Sequence, residues 1–182
     1  MDATIKNMDF QKKKIVIFDL DGTLAESKQP MDEEMATIIT QLLKQKMVAI
    51  ISGGAYAMFE HQLPKIQCPP ELFQKLFLFP TSGTRFYRYI DHWEQVYADE
   101  LTLEERQKIK DAFEKAYAEI DYQHPPQVFG EVVEDRGTQV TFSALGQQAP
   151  LDLKKAYKGS SLDRRAELIE VLKKYLPDFE IK

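Results

Sequence analysis

The chain has 182 residues, enough to bury a sizeable core as one large domain or two small modules. It is 43% hydrophobic and 29% charged with a formal net charge of −5, which excludes a disordered tail and argues against the basic footprint of non-specific nucleic-acid binding. No apolar run reaches the roughly 18 residues of a membrane span, the polar start from Met1 to Lys14 has no apolar signal core, and the single cysteine, Cys68, excludes an internal disulfide and points to a reducing, cytoplasmic compartment.

In chain order, Ile15-Val16-Ile17-Phe18 is β-branched and unbroken, the pattern of a strand buried on both faces of a parallel sheet. Asp19, Asp21, Gly22 and Thr23 follow at once. Met31, Met35, Ile38, Ile39, Leu42 and Leu43 recur at helical spacing and give one apolar face. Met47 to Ile51 reads as a second buried strand, ending in Ser52-Gly53-Gly54. Ala55 to Leu63 reads as a short helix stopped by Pro64, and Leu76 to Phe79 as a third strand ended by Pro80 and Thr81-Ser82-Gly83. This alternation of strand and helix is the α/β signature.

The pattern then changes. Thr84 to Ile90 and Trp93 to Tyr97 read as a hairpin around Asp91-His92. A helix is expected over Thr102 to Ile120, opened by a Thr102–Glu105 capping box, with Leu103, Ile109, Phe113, Ala116, Tyr117 and Ile120 as its apolar stripe. Glu131 to Asp135 and Thr138 to Ser143 form a second hairpin about Arg136-Gly137. Ser161 to Leu176 is a further helix with Leu162, Ala166, Ile169, Leu172 and Leu176 on one face, and Asp178 to Lys182 begins a strand. The expected division is 1–97, an α/β part, and 98–182, an α+β part.

In parallel α/β sheets ligands bind beyond the carboxyl ends of the strands. Three polar segments arrive there: Asp19 to Thr23, Ser52 to Gly54, and Thr81 to Gly83. Two carboxylates one residue apart repel each other, and a hard cation such as Mg²⁺ offsets that repulsion with oxygen ligands. With a metal present, one carboxylate can act as nucleophile and the other as proton donor and acceptor. Gly22 permits the tight turn, and Ser52 with the Gly53 N–H offers donors for phosphoryl oxygens.

Blander readings compete. A calcium loop starting at Asp19 fails on spacing, because its twelfth position falls on Pro30. Ser52 in a plain strand-to-helix cap, and Arg136 as an ordinary exposed turn residue, are the alternatives at those positions. His61, His92 and His124 lie on unrelated elements, so a zinc site is not expected.

The string Phe18-Asp19-Leu20-Asp21-Gly22-Thr23-Leu24 resembles the first motif of the haloacid dehalogenase superfamily, and Ser52-Gly53-Gly54 after an apolar strand looks like its second. The large segment after the third strand is similar to the α/β cap of the sugar-phosphate phosphatase branch. Gly53-Gly54, the Gln62-Leu63 pair and the Arg136 hairpin resemble the phosphomannomutases within it. The resemblance implies an α/β fold with a Rossmannoid parallel-sheet core and an inserted α+β cap. It implies Asp19 as nucleophile and magnesium ligand, and Asp21 as general acid/base whose backbone carbonyl also ligates Mg²⁺. It places Gly22 and Thr23 in the phosphate-binding turn, Ser52 and Gly53 on the phosphoryl group, and Arg136 on substrate from the cap.

The same resemblance implies a later Lys and a late acidic strand end, neither of which has a match before Lys182. The expectation is therefore an incomplete core in an N-terminal part of a larger enzyme, with an open edge at the first strand and weak magnesium-dependent activity alone. The implied function is a magnesium-dependent phosphohydrolase acting through an aspartyl-phosphate on a small phosphorylated sugar or related metabolite. A phosphomannomutase-like phosphotransferase and a catalytically incomplete binding module are the alternatives. No nucleic-acid or membrane partner is expected, and the oligomeric state is left open.

Overall fold

The protein is described by a computed structural model over residues 12–181. The polar lead-in before Lys12 and the last residue of the expected C-terminal strand lie outside these. The chain divides into two compact units, the first running to Asp99 and the second starting at Glu100.

The first unit is built on one five-stranded sheet. Its strands are β1 (Ile15–Asp19), β2 (Met47–Ile51), β3 (Leu76–Phe79), β4 (Arg85–Tyr89) and β5 (Trp93–Ala98), in that spatial order. The first three are parallel, with Asp19 opposite Ile51 and Ile51 opposite Phe79, so their carboxyl ends form one rim. β4 and β5 continue the same sheet antiparallel. The crossovers are α1 (Glu33–Gln45) between β1 and β2, then α2 (Tyr56–Gln62) and the one-turn α3 (Pro70–Phe73) between β2 and β3. No apolar periodicity announces α3; Pro70 at its first position is the only cue.

α1 starts where Asp32 accepts the Met35 N–H at 2.7 Å, with Glu33 and Glu34 in the first turn and Lys44 in the last. Each sign suits the helix dipole. The α1 face of Ala36, Ile39 and Leu43 meets Val48 and Ile50 of β2, Leu76 and Leu78 of β3, and Phe59 of α2 in the core. Aromatic stacking extends the sheet: Phe86 of β4 stacks on Phe79 of β3 with centroids 4.8 Å apart, and Tyr87 on Tyr56 of α2 at 4.0 Å. Burial, with the nearby Glu60, pushes the Tyr56 phenol up to about 12.

The expectation that β1 is buried on both faces fails. Phe18 packs on the core, but on the alternate face Ile17 keeps 64% of its surface exposed and Ile15 41%. Among the described residues β1 is an edge strand, paired with β2 alone.

The second unit packs α4 (Leu103–Glu119) and α6 (Arg165–Tyr175) with the hairpin β6 (Val133–Asp135) and β7 (Val140–Phe142); α5 (Leu151–Tyr157) lies between hairpin and α6 in sequence. The capping box is present: Thr102 Oγ1 accepts the Glu105 N–H at 3.1 Å, and Glu105 accepts the Thr102 N–H at 2.7 Å. Ile109, Phe113, Ala116 and Ile120 join Leu168, Val171 and Leu172 of α6 in the core. Leu103 departs from the expected stripe, exposed at 82% in the first helical position. Leu162 also stays exposed, because α6 begins only at Arg165. The residues from Asp178 to Ile181 form a turn and an extended tail instead of a strand, and Phe179 and Ile181 pack on the core from there.

Asp163 sits in the turn before α6. The Arg165 guanidinium grips its carboxylate at 2.5 and 2.7 Å, and the Gly159 N–H adds a bond of 2.9 Å. The Arg165 bonds hold the Asp163 carboxyl well below the usual carboxylate range, against the opposing effect of burial. A depressed folded-state pKa gives stability that is present above about pH 4 and lost as pH falls through the folded value. Asp163→Asn is expected to cost about 1 kcal/mol at neutral pH. In denaturant titrations the gap to wild type should stay flat above about pH 5 and shrink below about pH 4.

Candidate active site

The parallel rim collects the polar segments. After Asp19 the chain turns back on itself: the Leu20 carbonyl accepts N–H bonds from Thr23, Leu24 and Ala25 at 3.3, 3.0 and 3.1 Å, and Gly22 N–H bonds the Ala25 carbonyl at 2.7 Å. Gly22 adopts a positive φ of 78°, with no atom of the described residues within 4 Å of where a β-carbon would stand, so its requirement is conformational. Leu20 is fully buried and pins this turn, while its N–H bonds the Ile51 carbonyl at 3.2 Å. The result is an exposed Asp19 carboxylate, which accepts the Thr23 hydroxyl at 3.3 Å.

Asp21 is held more firmly. Its Oδ1 accepts the Lys28 N–H at 2.9 Å and the Gln62 side-chain amide at 3.2 Å. Its Oδ2 accepts the Ser52 hydroxyl at 3.2 Å. Ser52 is buried at the end of β2, and its Oγ in turn accepts the Gly54 N–H at 3.1 Å. β2 and β3 are tied at the rim by the Ser82 N–H on the Ser52 carbonyl and the Thr81 N–H on the Gly54 carbonyl, both at 2.9 Å. Thr81, Ser82 and Gly83 are all left-handed, with φ of 51°, 58° and 89°. Thr81 is fully buried and its hydroxyl accepts that of Thr84 at 2.8 Å.

Asp19, Asp21, Gly22, Thr23 and Ser52 thus stand together, with Gly53 beside them in sequence and a β-carbon at Gly53 falling 3.8 Å from Ser82 Oγ. Arg136 belongs to the second unit. There its guanidinium bonds Glu134 at 2.5 Å and Gln147 at 3.4 Å. Thr81 stands in a segment expected at the rim and Gln62 in the pair singled out with Leu63, but the part each plays, and that of the Lys28 amide, was not legible in the sequence. Gln62 lies at the end of α2, the Lys28 amide is aimed by a positive φ of 60°, and Thr81 underpins the rim.

The donors at the rim are carboxylate, hydroxyl and carbonyl oxygens, the chemistry that suits a hard divalent cation. Among the described residues no group of three or more His, Cys, Asp and Glu is placed to hold a metal ion, so these residues offer a cation two carboxylates at most here. Among the described residues, too, no helix is long and apolar enough to cross a membrane.

A family model for haloacid dehalogenase-like hydrolases matches residues 16–165. The phosphomannomutase of Encephalitozoon cuniculi is 26% identical over 145 residues, covering 75% of this chain and 51% of that protein. That of Saccharomyces cerevisiae is 24% identical over 168 residues, covering 91% of this chain and 63% of that protein. The chain therefore spans about half to three-fifths of the length of these relatives. Among solved structures, Plasmodium falciparum IMP-nucleotidase superposes with a TM-score of 0.58 at 14% identity, covering 93% of this chain and 48% of that one. Aspergillus fumigatus trehalose-6-phosphate phosphatase gives a TM-score of 0.50 at 17% identity, covering 93% and 57%. These structural likenesses speak to the fold.

Proposed function

The chain belongs to the haloacid dehalogenase-like hydrolases, and from that premise we propose that it carries the aspartate centre of a phosphohydrolase acting on a small phosphorylated sugar or related metabolite. The observation that carries this reading is the division of labour between two carboxylates: Asp19 exposed and lightly held, Asp21 fixed by three donors. A nucleophile must be accessible, and a proton-transfer group must be oriented.

In this reading an Asp19 oxygen attacks phosphorus and the bond from phosphorus to the sugar oxygen breaks. Asp21 gives its proton to that leaving oxygen. Water then attacks the aspartyl-phosphate, Asp21 takes a proton from it, and phosphate leaves with the Asp19 carboxylate restored. Ser52 and the Gly53 N–H orient the phosphoryl oxygens, Gly22 and Thr23 keep the turn that presents Asp19, and Arg136 contacts the substrate. The Asp19 carboxylate and the Asp21 backbone carbonyl would hold Mg²⁺, which when bound neutralises charge on the transferring group. The unit from Glu100 onward takes the part of the α+β cap.

The phosphomannomutase relatives favour a second reading, in which the aspartyl-phosphate is returned to a sugar hydroxyl. Full-length protein incubated with mannose 1-phosphate and Mg²⁺ separates the two. Free phosphate, suppressed by a chelator, is the expected product. Mannose 6-phosphate in its place would establish the transferase, and neither product across a panel of sugar phosphates would sink both.

A further inference from the structure

We propose that Gln62 is the positioning residue for Asp21, an inference that rests on the phosphoryl-transfer reading of the rim. Gln62 is fully buried at the end of α2. Its backbone is fixed, because its carbonyl accepts the Met31 N–H at 2.7 Å. Its side-chain Nε2 donates to Asp21 Oδ1 at 3.2 Å. Its Oε1 is buried with no hydrogen-bond partner among the described residues.

That unpartnered oxygen is the informative part. A buried acceptor left unpaired destabilises the fold, and an apolar side chain of the same shape would avoid the cost. Turning the amide over does not help: Asp21 Oδ1 already accepts the Lys28 N–H, so that oxygen acts as an acceptor, the atom facing it has to be the nitrogen and the orphan has to be the oxygen. An amide kept in such a place serves what its nitrogen does. What it does is complete a two-point clamp on Oδ1, with the Lys28 N–H at 2.9 Å as the other point. Both points draw on one joint, since the segment that supplies the Lys28 N–H also supplies the Met31 N–H that anchors Gln62.

The clamp leaves the two oxygens of Asp21 with different fates. Oδ1 is committed to the scaffold. Among the described residues Oδ2 is held by the Ser52 hydroxyl alone, a group with a single proton to donate. When the Ser52 hydroxyl turns its hydrogen bond to a phosphoryl oxygen, Ser52 keeps its proton, Oδ2 is freed to carry the proton that Asp21 gives to the leaving oxygen, and Oδ1 stays fixed, so Asp21 keeps its orientation. Gln62 therefore acts through Asp21 and touches no reacting atom.

The test uses leaving groups. Departure of a sugar oxygen needs the proton from Asp21, whereas departure of p-nitrophenolate needs little help. In full-length Gln62→Met, first-turnover release from a sugar phosphate is expected to fall on the order of 100-fold, while the p-nitrophenolate burst changes by less than about threefold. KM for the sugar phosphate should stay within about twofold, because the lost orientation acts on the transition state. The melting midpoint should hold or rise, since Oδ1 keeps the Lys28 N–H and the orphan oxygen is gone. Gln62→Leu is the second variant should the methionine protein fail to fold. Equal slowing of both leaving groups, or a loss confined to KM, overturns the positioning role. Asp19→Asn run alongside tests the underlying reading separately: a surviving burst there would sink the reading itself, whatever Gln62 does.

Discussion

Asp19→Asn in the full-length protein should lower turnover of a sugar phosphate by about 10⁴-fold or more, with the fold intact. The expectation of a clean chemical effect comes from how little the fold asks of Asp19. Its carboxylate is exposed at the end of β1 and accepts one hydroxyl, that of Thr23 at 3.3 Å. An amide oxygen accepts that bond equally well, so the melting midpoint should match wild type. The amide cannot form the acyl phosphate, so no aspartyl-phosphate should be trapped by rapid acid quench. Turnover within tenfold of wild type would remove Asp19 from the reaction. The same change at Asp21 is a less clean experiment, because Lys28, Gln62 and Ser52 all donate to its carboxylate.

The largest effect on stability is expected at Gly146→Ala. Gly146 has a φ of 85°, and a β-carbon there would overlap the Phe129 carbonyl oxygen and stand 2.6 Å from its carbon and 2.8 Å from its nitrogen. These are backbone atoms, and they are not free to retreat. The Phe129 N–H bonds the Leu145 carbonyl at 2.8 Å, the Gln148 N–H bonds the Phe129 carbonyl at 2.9 Å, and Gly146 itself is tied to Ser143 through both backbone and hydroxyl. Relief of the clash requires breaking this set. The cost should be at least about 3 kcal/mol, lowering the second unit's melting midpoint by on the order of 15 °C. Gly159→Ala is the matched control: φ is 75° but nothing lies within 4 Å of the added carbon, so only the left-handed penalty of about 1 kcal/mol applies. Calorimetry of the pair separates overlap from backbone strain. Equal midpoints for the two variants would show that the loop around Phe129 yields.

The α/β class was legible because the apolar strands are short, β-branched and punctuated by Gly and Pro, and because parallel pairing needs crossovers. The meeting of Asp19, Asp21 and Ser52 was legible for the same reason: residues that follow parallel strands share a rim. Gln62 was singled out only through a resemblance, and its bond to Asp21 was hidden because it depends on where the end of α2 meets the turn after β1, a tertiary quantity with no local signature. The Lys28 amide was hidden because a backbone donor leaves no trace in side-chain identity. The errors at Leu103 and Leu162 share one cause. Helical spacing was extended into end positions where the chain is already leaving the packed face. The burial of β1 was overestimated because an unbroken apolar run reports composition and leaves open how many faces a neighbour covers.

The three left-handed residues at the end of β3 limit how the rim can evolve. Two of them, Thr81 and Ser82, carry side chains in a region that suits glycine and asparagine, and Thr81 does so while branched at its β-carbon and wholly buried. Proline, whose ring fixes a negative φ, is thereby shut out of positions 82 and 83, and branched aliphatic residues are disfavoured there. Drift around this centre is channelled into the strand interiors and helix faces, where an exchange of one apolar residue for another costs little. Changes of side chain near the site therefore cost least at residues away from this corner.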